Sequence, residues 1–296
     1  MSGTSAPEHT GDSFAADDDE HVRAALQRLS EVVARFPSAC VAFSGGVDSS
    51  VVLAVSQRVL GADHVVAFTA ASETYRPDEL EAARALARAL GVRHVVRATR
   101  ELDDERFVAN PPARCAYCKE TMVATLRAVA SETGMMTLLD GANRDDLSDV
   151  RPGMWRASEL GVQHPLVEAG LGKAEVRALA RYLHLSTADK PQEACLASRI
   201  PYGSPITAEK LRVIAAAEAV LRRLGFTGAR VRHHGSIARI EVGLDEVERA
   251  AGAPARDELV RQLRALGFTY VTLDLQGFRS GSMNEVLQAD ERAPTL

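Results

Sequence analysis

The amino-acid sequence predicts an α/β fold: a parallel sheet flanked by helices, followed by a smaller C-terminal α+β domain. Three observations lead there. Apolar strand-like runs alternate with helical patterns across residues 21–200, which is how parallel sheets with helices on both faces are built. The first of those runs ends in a glycine- and serine-rich turn that opens an apolar helical run. Beyond residue 200 the order becomes helix, two alternating strand-like runs, helix and strand.

The chain has 296 residues and a formal net charge of −5. That length holds one large domain or two modest ones. Residues 1–20 are rich in Ser, Asp and Glu and lack the basic and apolar regions of a signal peptide. They are expected to form a disordered lead-in. No apolar run is long enough to cross a membrane, and the acidic balance offers no broad nucleic-acid footprint. A cytoplasmic location follows as the expectation, with neither membrane nor nucleic acid as partner. Residues 21–35 read as an amphipathic helix. Strands are expected at 40–43, 65–69, 94–97 and 137–140, and helices at 50–60, 78–90, 117–132 and 172–182. The second pattern gives a helix at 207–224 with a cap-like Thr207, strands at 230–232, 237–242 and 270–275, and a helix at 257–266. The expected division is therefore a lead-in at 1–20, the sheet domain at 21–200 and a small domain at 201–296 that serves substrate binding or homo-oligomer formation.

Ligands of parallel α/β sheets bind beyond the carboxyl ends of the strands. That rule gathers the loops 44–50, 70–75, 98–118 and 141–149 at one mouth. The run Ser44-Gly45-Gly46-Val47-Asp48-Ser49-Ser50 lies between a strand and a helix. Glycines there let backbone N–H groups converge, and the helix N-terminus favours an anion. The Lys-Ser/Thr of a Walker A loop is missing. The run resembles the signature of the PP-loop, or N-type, ATP pyrophosphatases, which hold the β,γ-pyrophosphate of ATP. In Gly141-Ala142-Asn143-Arg144-Asp145-Asp146, Asn143 and the paired acids suit nucleotide contact and Mg²⁺ coordination. The alternative is a solvated turn with a helix cap.

Four cysteines in a chain of this kind suggest a metal or reactive site rather than structural disulfides. Cys115-x-x-Cys118 opens the helix after the third strand, where the helix N-terminus is expected to lower thiol pKa values. Cys195 has Arg199 one helical turn away, placed to stabilise a thiolate. Three readings stay open here: a redox disulfide, a zinc site, and an iron–sulfur cluster held by three cysteines. Cys40 reads as a buried small apolar residue. Arg230, Arg232 and His234 share one strand face, which suits a phosphate or carboxylate or is simply solvated. His164 reads as structural.

Taken together, the motifs resemble the LarE family, ATP-dependent sulfur transferases that build the nickel-pincer nucleotide. They are the Ser44–Ser50 loop, Asn110-Pro111-Pro112-x-Arg114-Cys115-x-Tyr117-Cys118-Lys119, Asp140-Gly141-x-Asn143 with Asp145-Asp146, and Cys195-Leu196-Ala197-Ser198-Arg199-Ile200-Pro201-Tyr202-Gly203. The resemblance spans residues 22–281. It implies adenylation of a carboxylate of pyridinium-3,5-biscarboxylic acid mononucleotide, then displacement of AMP by sulfur to give a thiocarboxylate. It implies that Ser44, Gly45, Gly46, Asp48, Ser49 and Ser50 hold pyrophosphate, with Asp48 near the Mg²⁺. Ala70, Ser72, Gly141, Asn143 and Asp145 would border the nucleotide. Arg199, Arg230 and Arg232 are the substrate-binding candidates. Cys115, Cys118 and Cys195 match the type that holds a 4Fe-4S cluster fed by sulfide or another sulfur donor. Members with only the cysteine matching Cys195 sacrifice its sulfur instead. The competing classes are a tRNA thiolase, an ammonia-using amide or nucleotide synthetase, and a nucleotide sensor without turnover.

Overall fold

Four short strands make the first sheet: β1 (Ala39–Ala42), β2 (Val65–Ala71), β3 (Arg93–Ala98) and β4 (Thr137–Leu139). All pair in parallel, in the order β3-β2-β1-β4. The computed structural model describes residues 11–148, 152–191, 194–279, 282 and 285. The chain moves outward from β1 to β3, then returns to the other side of β1 for β4. The strand order thus reverses between β1 and β4, and the loops leaving these two strands flank the crevice where such sheets bind ligands. Those loops are the Ser44–Ser50 run and the Gly141 run.

The helices of this part are α1 (Gly11–Val33), α2 (Val47–Leu60), α3 (Pro77–Ala89), α4 (Glu105–Val108), α5 (Arg114–Thr133), α6 (Pro152–Glu159), α7 (Pro165–Glu168) and α8 (Lys173–Tyr182). Strand side chains alternate between faces, and the core divides accordingly. Val41, Val65 and Ala67 pack with Leu29 of α1, Val51 and Val55 of α2, Ala83 of α3 and Leu179 of α8. Cys40, Val66 and Phe68 point the other way, onto Val123, Leu126 and Val129 of α5 and Ala157 of α6. The strands β1, β2 and β4 are therefore apolar on both faces, as a covered parallel sheet requires, while the edge strand β3 is half-buried to exposed.

Helix α1 begins at Gly11, ten residues before the expected start at 21. Residues 11–20 are thus helical, which corrects the disordered lead-in over that stretch; residues 1–10 lie outside the described residues. The run lacks an apolar period, but a helix nucleated downstream extends into it at little cost.

The C-terminal part follows the expected order, with one short helix added. It comprises α9 (Ala208–Arg223), β5 (Arg230–His234), β6 (Ile237–Glu241), α10 (Val247–Ala251), α11 (Ala255–Ala265) and β7 (Tyr270–Leu273). β5 and β6 are antiparallel, and β7 lies parallel to β6. Thr207 caps α9 by accepting from the Lys210 N–H at 3.2 Å. A separate core of Val220, Phe226, Val231, Ile240, Leu259 and Leu263 holds this part together. A further cluster unites Phe107, Leu196 and Ile200 with Ile206, Leu211 and Ile214. Apolar contact therefore continues across residue 200.

The crossing of β4 over α2 leaves no room for a side chain at Gly141. A Cβ there would stand 2.6 Å from the Ser49 backbone nitrogen. Gly141→Ala is predicted to lower unfolding free energy by about 1–3 kcal/mol, as overpacking does, with loss of nucleotide binding. Urea unfolding measures it; a wild-type midpoint with intact ATP binding would refute the close approach.

Candidate active site

The Ser44–Ser50 loop is built by its own side chains. Gly45 takes a left-handed φ of +67°, and Gly46 is the extended N-cap of α2. Ser44 Oγ lies 3.2 Å from Ser49 Oγ and accepts from the Gly46 N–H at 3.3 Å. Ser50 Oγ donates to the Gly46 carbonyl at 2.7 Å. The serines thus fix the loop, while the first N–H groups of α2 have no partner within the helix. Space is tight around the glycine: a Cβ on Gly45 would sit 3.0 Å from Ala83 Cβ.

Asp48 stands where the two sides of the crevice meet. Asn143 Nδ2 donates to its Oδ1 at 3.2 Å, and Lys173 Nζ donates to its Oδ2. The expected pairing of the Gly141 run with the phosphate loop is therefore direct. The two acids of that run have local partners. Asp145 accepts the Lys173 N–H at 2.8 Å, at the start of α8, and Asp146 accepts the Asn143 N–H at 3.0 Å. Among the described residues, no three His, Cys, Asp or Glu side chains gather around a point that could hold a single metal ion. A Mg²⁺ needs only one or two carboxylates when phosphates supply the rest, and Asp48 fits that part.

Two lysines absent from the sequence-based candidates belong to this site. Besides Lys173, Lys190 reaches the Gly45 carbonyl through Nζ at 3.0 Å. A signal for them existed. Only four of the 35 basic residues are lysines, and Lys119, Lys173 and Lys190 all lie by the mouth. Ala70 is still within the β2 ladder. Ser72 begins the turn after it, with the Ser72 carbonyl accepting the Tyr75 N–H at 3.0 Å. The Thr74 carbonyl accepts the Leu196 N–H at 3.2 Å, so the segment carrying Cys195 is fastened to the loop after β2.

The three motif cysteines lie on two elements, and the charges of Cys115 and Cys195 both bear on Cys118. Cys115 is exposed at the start of α5, Cys118 lies one turn on, and Cys195 is exposed at the head of a 3₁₀ turn, Leu196–Arg199. The Cys118 thiol is raised by burial, then by the charges of Cys195, Glu101 and Cys115, against the pull of Lys119. This corrects the expected lowering: the helix N-terminus does not outweigh desolvation. Cys40 is fully buried, and burial pushes its thiol up to about 12, as an inert core residue.

Asn110 and Arg114 explain why the two cysteine motifs travel together. Asn110, at φ +57°, donates through Nδ2 to the carbonyls of Pro201 at 2.8 Å and Ser204 at 3.0 Å. Its Oδ1 accepts from Arg114 at 2.8 Å. The Arg114 guanidinium stacks 4.6 Å over the Tyr202 ring. Asp140, at the end of β4, is held by His164 Nδ1 at 2.6 Å, and His164 Nε2 meets Ser158 Oγ at 2.7 Å. Burial opposes the Asp140 charge, but the His164 hydrogen bond and the Lys119 charge outweigh it and hold its pKa below the usual value. His164, expected to be structural, thus bridges Asp140 and Ser158.

The candidate substrate arginines are buried with protein partners. Arg199 is fully buried and pairs with Glu218 at 2.7 Å. Arg232 pairs with Glu241 at 2.6 Å and donates to the Ser198 carbonyl at 3.0 Å. Arg230 donates to the Gly228 carbonyl at 3.0 Å and lies 5.0 Å over the Phe278 ring. An open phosphate-binding strand face is therefore corrected to a buried network, because Glu218 and Glu241 supply the counter-charges inside. Glu218 was legible in principle. It occupies the apolar stripe of α9 beside Leu211, Ile214 and Leu221, and an acid there demands a buried cation.

Comparison with known proteins shows what the whole chain is similar to. The family model described as asparagine synthase matches residues 21–137. An uncharacterized protein of Synechocystis sp. is 42% identical over 88% of this chain and 97% of its own length. The pyridinium-3,5-bisthiocarboxylic acid mononucleotide synthase of Lactiplantibacillus plantarum is 41% identical over 89% of this chain and 92% of its own. A tRNA-specific 2-thiouridylase of Rhizobium rhizogenes is 30% identical over 61% of this chain and 56% of its own.

Glu218→Ala leaves the Arg199 guanidinium uncompensated in the interior. The variant is predicted to lose about 3–5 kcal/mol of stability, the usual effect of breaking one side of a buried pair. Urea unfolding monitored by circular dichroism gives the value. A loss below about 1 kcal/mol, the range of surface pairs, would mean the pair does not fasten the Cys195 segment.

Proposed function

The chain belongs to the LarE family of ATP-dependent sulfur transferases, and from that premise we propose the following reaction. It adenylates a carboxylate of pyridinium-3,5-biscarboxylic acid mononucleotide and converts it to a thiocarboxylate. The observation that carries this reading is the hydrogen bond from Leu196 N–H to the Thr74 carbonyl, 3.2 Å long. It brings the cysteine segment against a loop of the phosphate-binding mouth. Activation and sulfur delivery then share one crevice.

In this reading the loop from Ser44 to Ser50 binds the pyrophosphate portion of ATP at the N-terminus of α2. Lys173 and Lys190 add two compact positive charges, which suit phosphate oxygens. Asp48 would supply a carboxylate to Mg²⁺, whose charge would offset that of the phosphates. The substrate carboxylate attacks the α-phosphorus, and the bond to pyrophosphate breaks. Sulfur at the sulfide level then attacks the acyl carbon, and AMP leaves with the bonding pair. Preorganised donors aimed at the developing charge supply the largest part of such rate enhancements.

The finer part of the proposal concerns sulfur. The donor set, three thiols of which two are exposed, suits a 4Fe-4S cluster, whose ligands stand farther apart than those of a single ion. Cys115, Cys118 and Cys195 would hold it, and the iron without a cysteine supplies a place for external sulfide. The exposure of Cys195 favours one second reading, in which its own sulfur is consumed.

Lys173→Ala is expected to reduce AMP formation by about a hundredfold to a thousandfold; pyrophosphate release at the wild-type rate would remove it from the phosphate site. Anaerobic iron and acid-labile sulfide analysis is expected to give about four irons per chain. Cys195 is expected to keep its mass after turnover. Conversion of Cys195 to dehydroalanine in proportion to product, with Cys115→Ala still active, would replace the cluster reading by the sacrificial one.

A further inference from the structure

One buried acid at the mouth has no task in the reaction described above. Glu101 opens a 3₁₀ turn, Glu101–Asp103, just beyond β3, and is only 3% exposed. Its Oε1 accepts from Thr99 Oγ1 at 2.8 Å. Its Oε2 is buried without a hydrogen-bond partner, and among the described residues Glu101 has no ion-pair partner. A carboxylate oxygen stripped of water and left unpaired is costly and calls for a reason. Its surroundings supply one. Leu102, the next residue, packs with Tyr117 and Cys118 against Phe107, Leu196 and Ala197. The neighbours of Glu101 and Cys195 thus share a single apolar cluster with Cys118. The Glu101 charge also bears on the Cys118 thiol.

We propose that Glu101 is the fourth protein ligand of the three-cysteine site, with Oε2 as an oxygen donor to the iron that no cysteine holds. The inference rests on the cluster reading given above. Thr99 fixes the carboxyl through Oε1 and leaves Oε2 available. Carboxylate is a hard donor, and soft sulfur ligands are preferred at such iron. An incoming hydrosulfide would therefore displace Oε2, one anion for another, with no change of charge or oxidation state. Glu101 would protect the open iron between turnovers while leaving it exchangeable.

The test uses the anaerobically reconstituted full chain as wild type, Glu101→Gln, Glu101→Asp and Cys118→Ala. Glu101→Gln should retain about four irons per chain. It should lose the unique iron to mild oxidation about tenfold faster or more, the usual scale for lost metal-supporting contacts, read as growth of the three-iron electron paramagnetic resonance signal. Glu101→Asp, which keeps a carboxylate, should restore part of the retention. In the reduced wild type, water enriched in the magnetic oxygen isotope should give no oxygen coupling at the unique iron. Full iron load in Glu101→Gln with wild-type loss kinetics would overturn the assignment and leave the cluster standing. Isotope coupling from water in the wild type would also overturn it, whether or not the variants fold. Absence of iron from the wild type would end the cluster reading and this assignment together.

Discussion

The position of Cys195 depends on the buried pair between Arg199 and Glu218. Both side chains are only 1% exposed, with Nε and Oε1 2.7 Å apart. Removing two charges from water is expensive, and the attraction repays it only when the remaining donors and acceptors are also satisfied. Here they are. Arg199 also donates to the Ala194 carbonyl at 2.7 Å, the Cys195 carbonyl at 3.2 Å and Ser198 Oγ at 2.9 Å. Glu218 in turn accepts the Val231 N–H at 3.2 Å. One interaction therefore joins the Cys195 segment to α9 and β5. An arrangement that moved Cys195 would strand a charge in the interior, so the thiol has one well-defined place. Arg232, bridging Glu241 and the Ser198 carbonyl, repeats the device from the neighbouring position on β5. The C-terminal part thus holds the Cys195 segment through Glu218 and Arg232.

The other half of the site obeys topology. The reversal of strand order beside β1 brings Asp48 and Asn143 within 3.2 Å although 95 residues separate them. The phosphate loop itself is local: glycines supply the backbone conformation and serines bond it internally. A local device leaves its mark in consecutive residues, so the Ser44–Ser50 loop was readable from the sequence. Most element positions were readable for a similar reason. The apolar runs of β1, β2 and α5 are long enough, and the turns between them distinct enough, for period and punctuation to agree.

Where sequence reasoning stopped short, the missing information was long-range. Alternation along β5 gives Arg230 and Arg232 a common face but not the direction of that face. Partners on other segments hold it inward: Glu241 for Arg232, and the Gly228 carbonyl and Phe278 ring for Arg230. The Asn110 clamp is similar, because its acceptors lie about ninety residues away and a lone asparagine before two prolines looks like a turn. The Cys118 thiol fails the helix-terminus expectation because burial among Phe107 of the preceding helix and the sequence-distant Leu196 sets its environment. Residues 11–20 were missed for the opposite reason. They extend α1 toward its N-terminus, and no apolar period in the sequence announces it.

The distribution of basic residues ties these halves together. Arginine serves this chain as a structural cation: Arg199 and Arg232 are buried against carboxylates, and Arg114 lies on an aromatic ring. A planar guanidinium with several directed donors suits such positions because it satisfies many acceptors at once. Lysine is used differently at the mouth, while Lys210 bonds Ser204 Oγ and the Pro205 carbonyl ahead of α9. Lys173 and Lys190 touch the phosphate loop through single Nζ atoms, contacts that can be exchanged without unfolding anything. Lys119 follows Cys118 directly, and its charge pulls that thiol downward. The same economy distinguishes the acids. Glu218 and Glu241 are engaged with arginine, Asp48 with a lysine, and Glu101 has one oxygen buried without a hydrogen-bond partner. Rigid buried pairs set the geometry of the crevice, and single-atom lysine contacts line its phosphate loop.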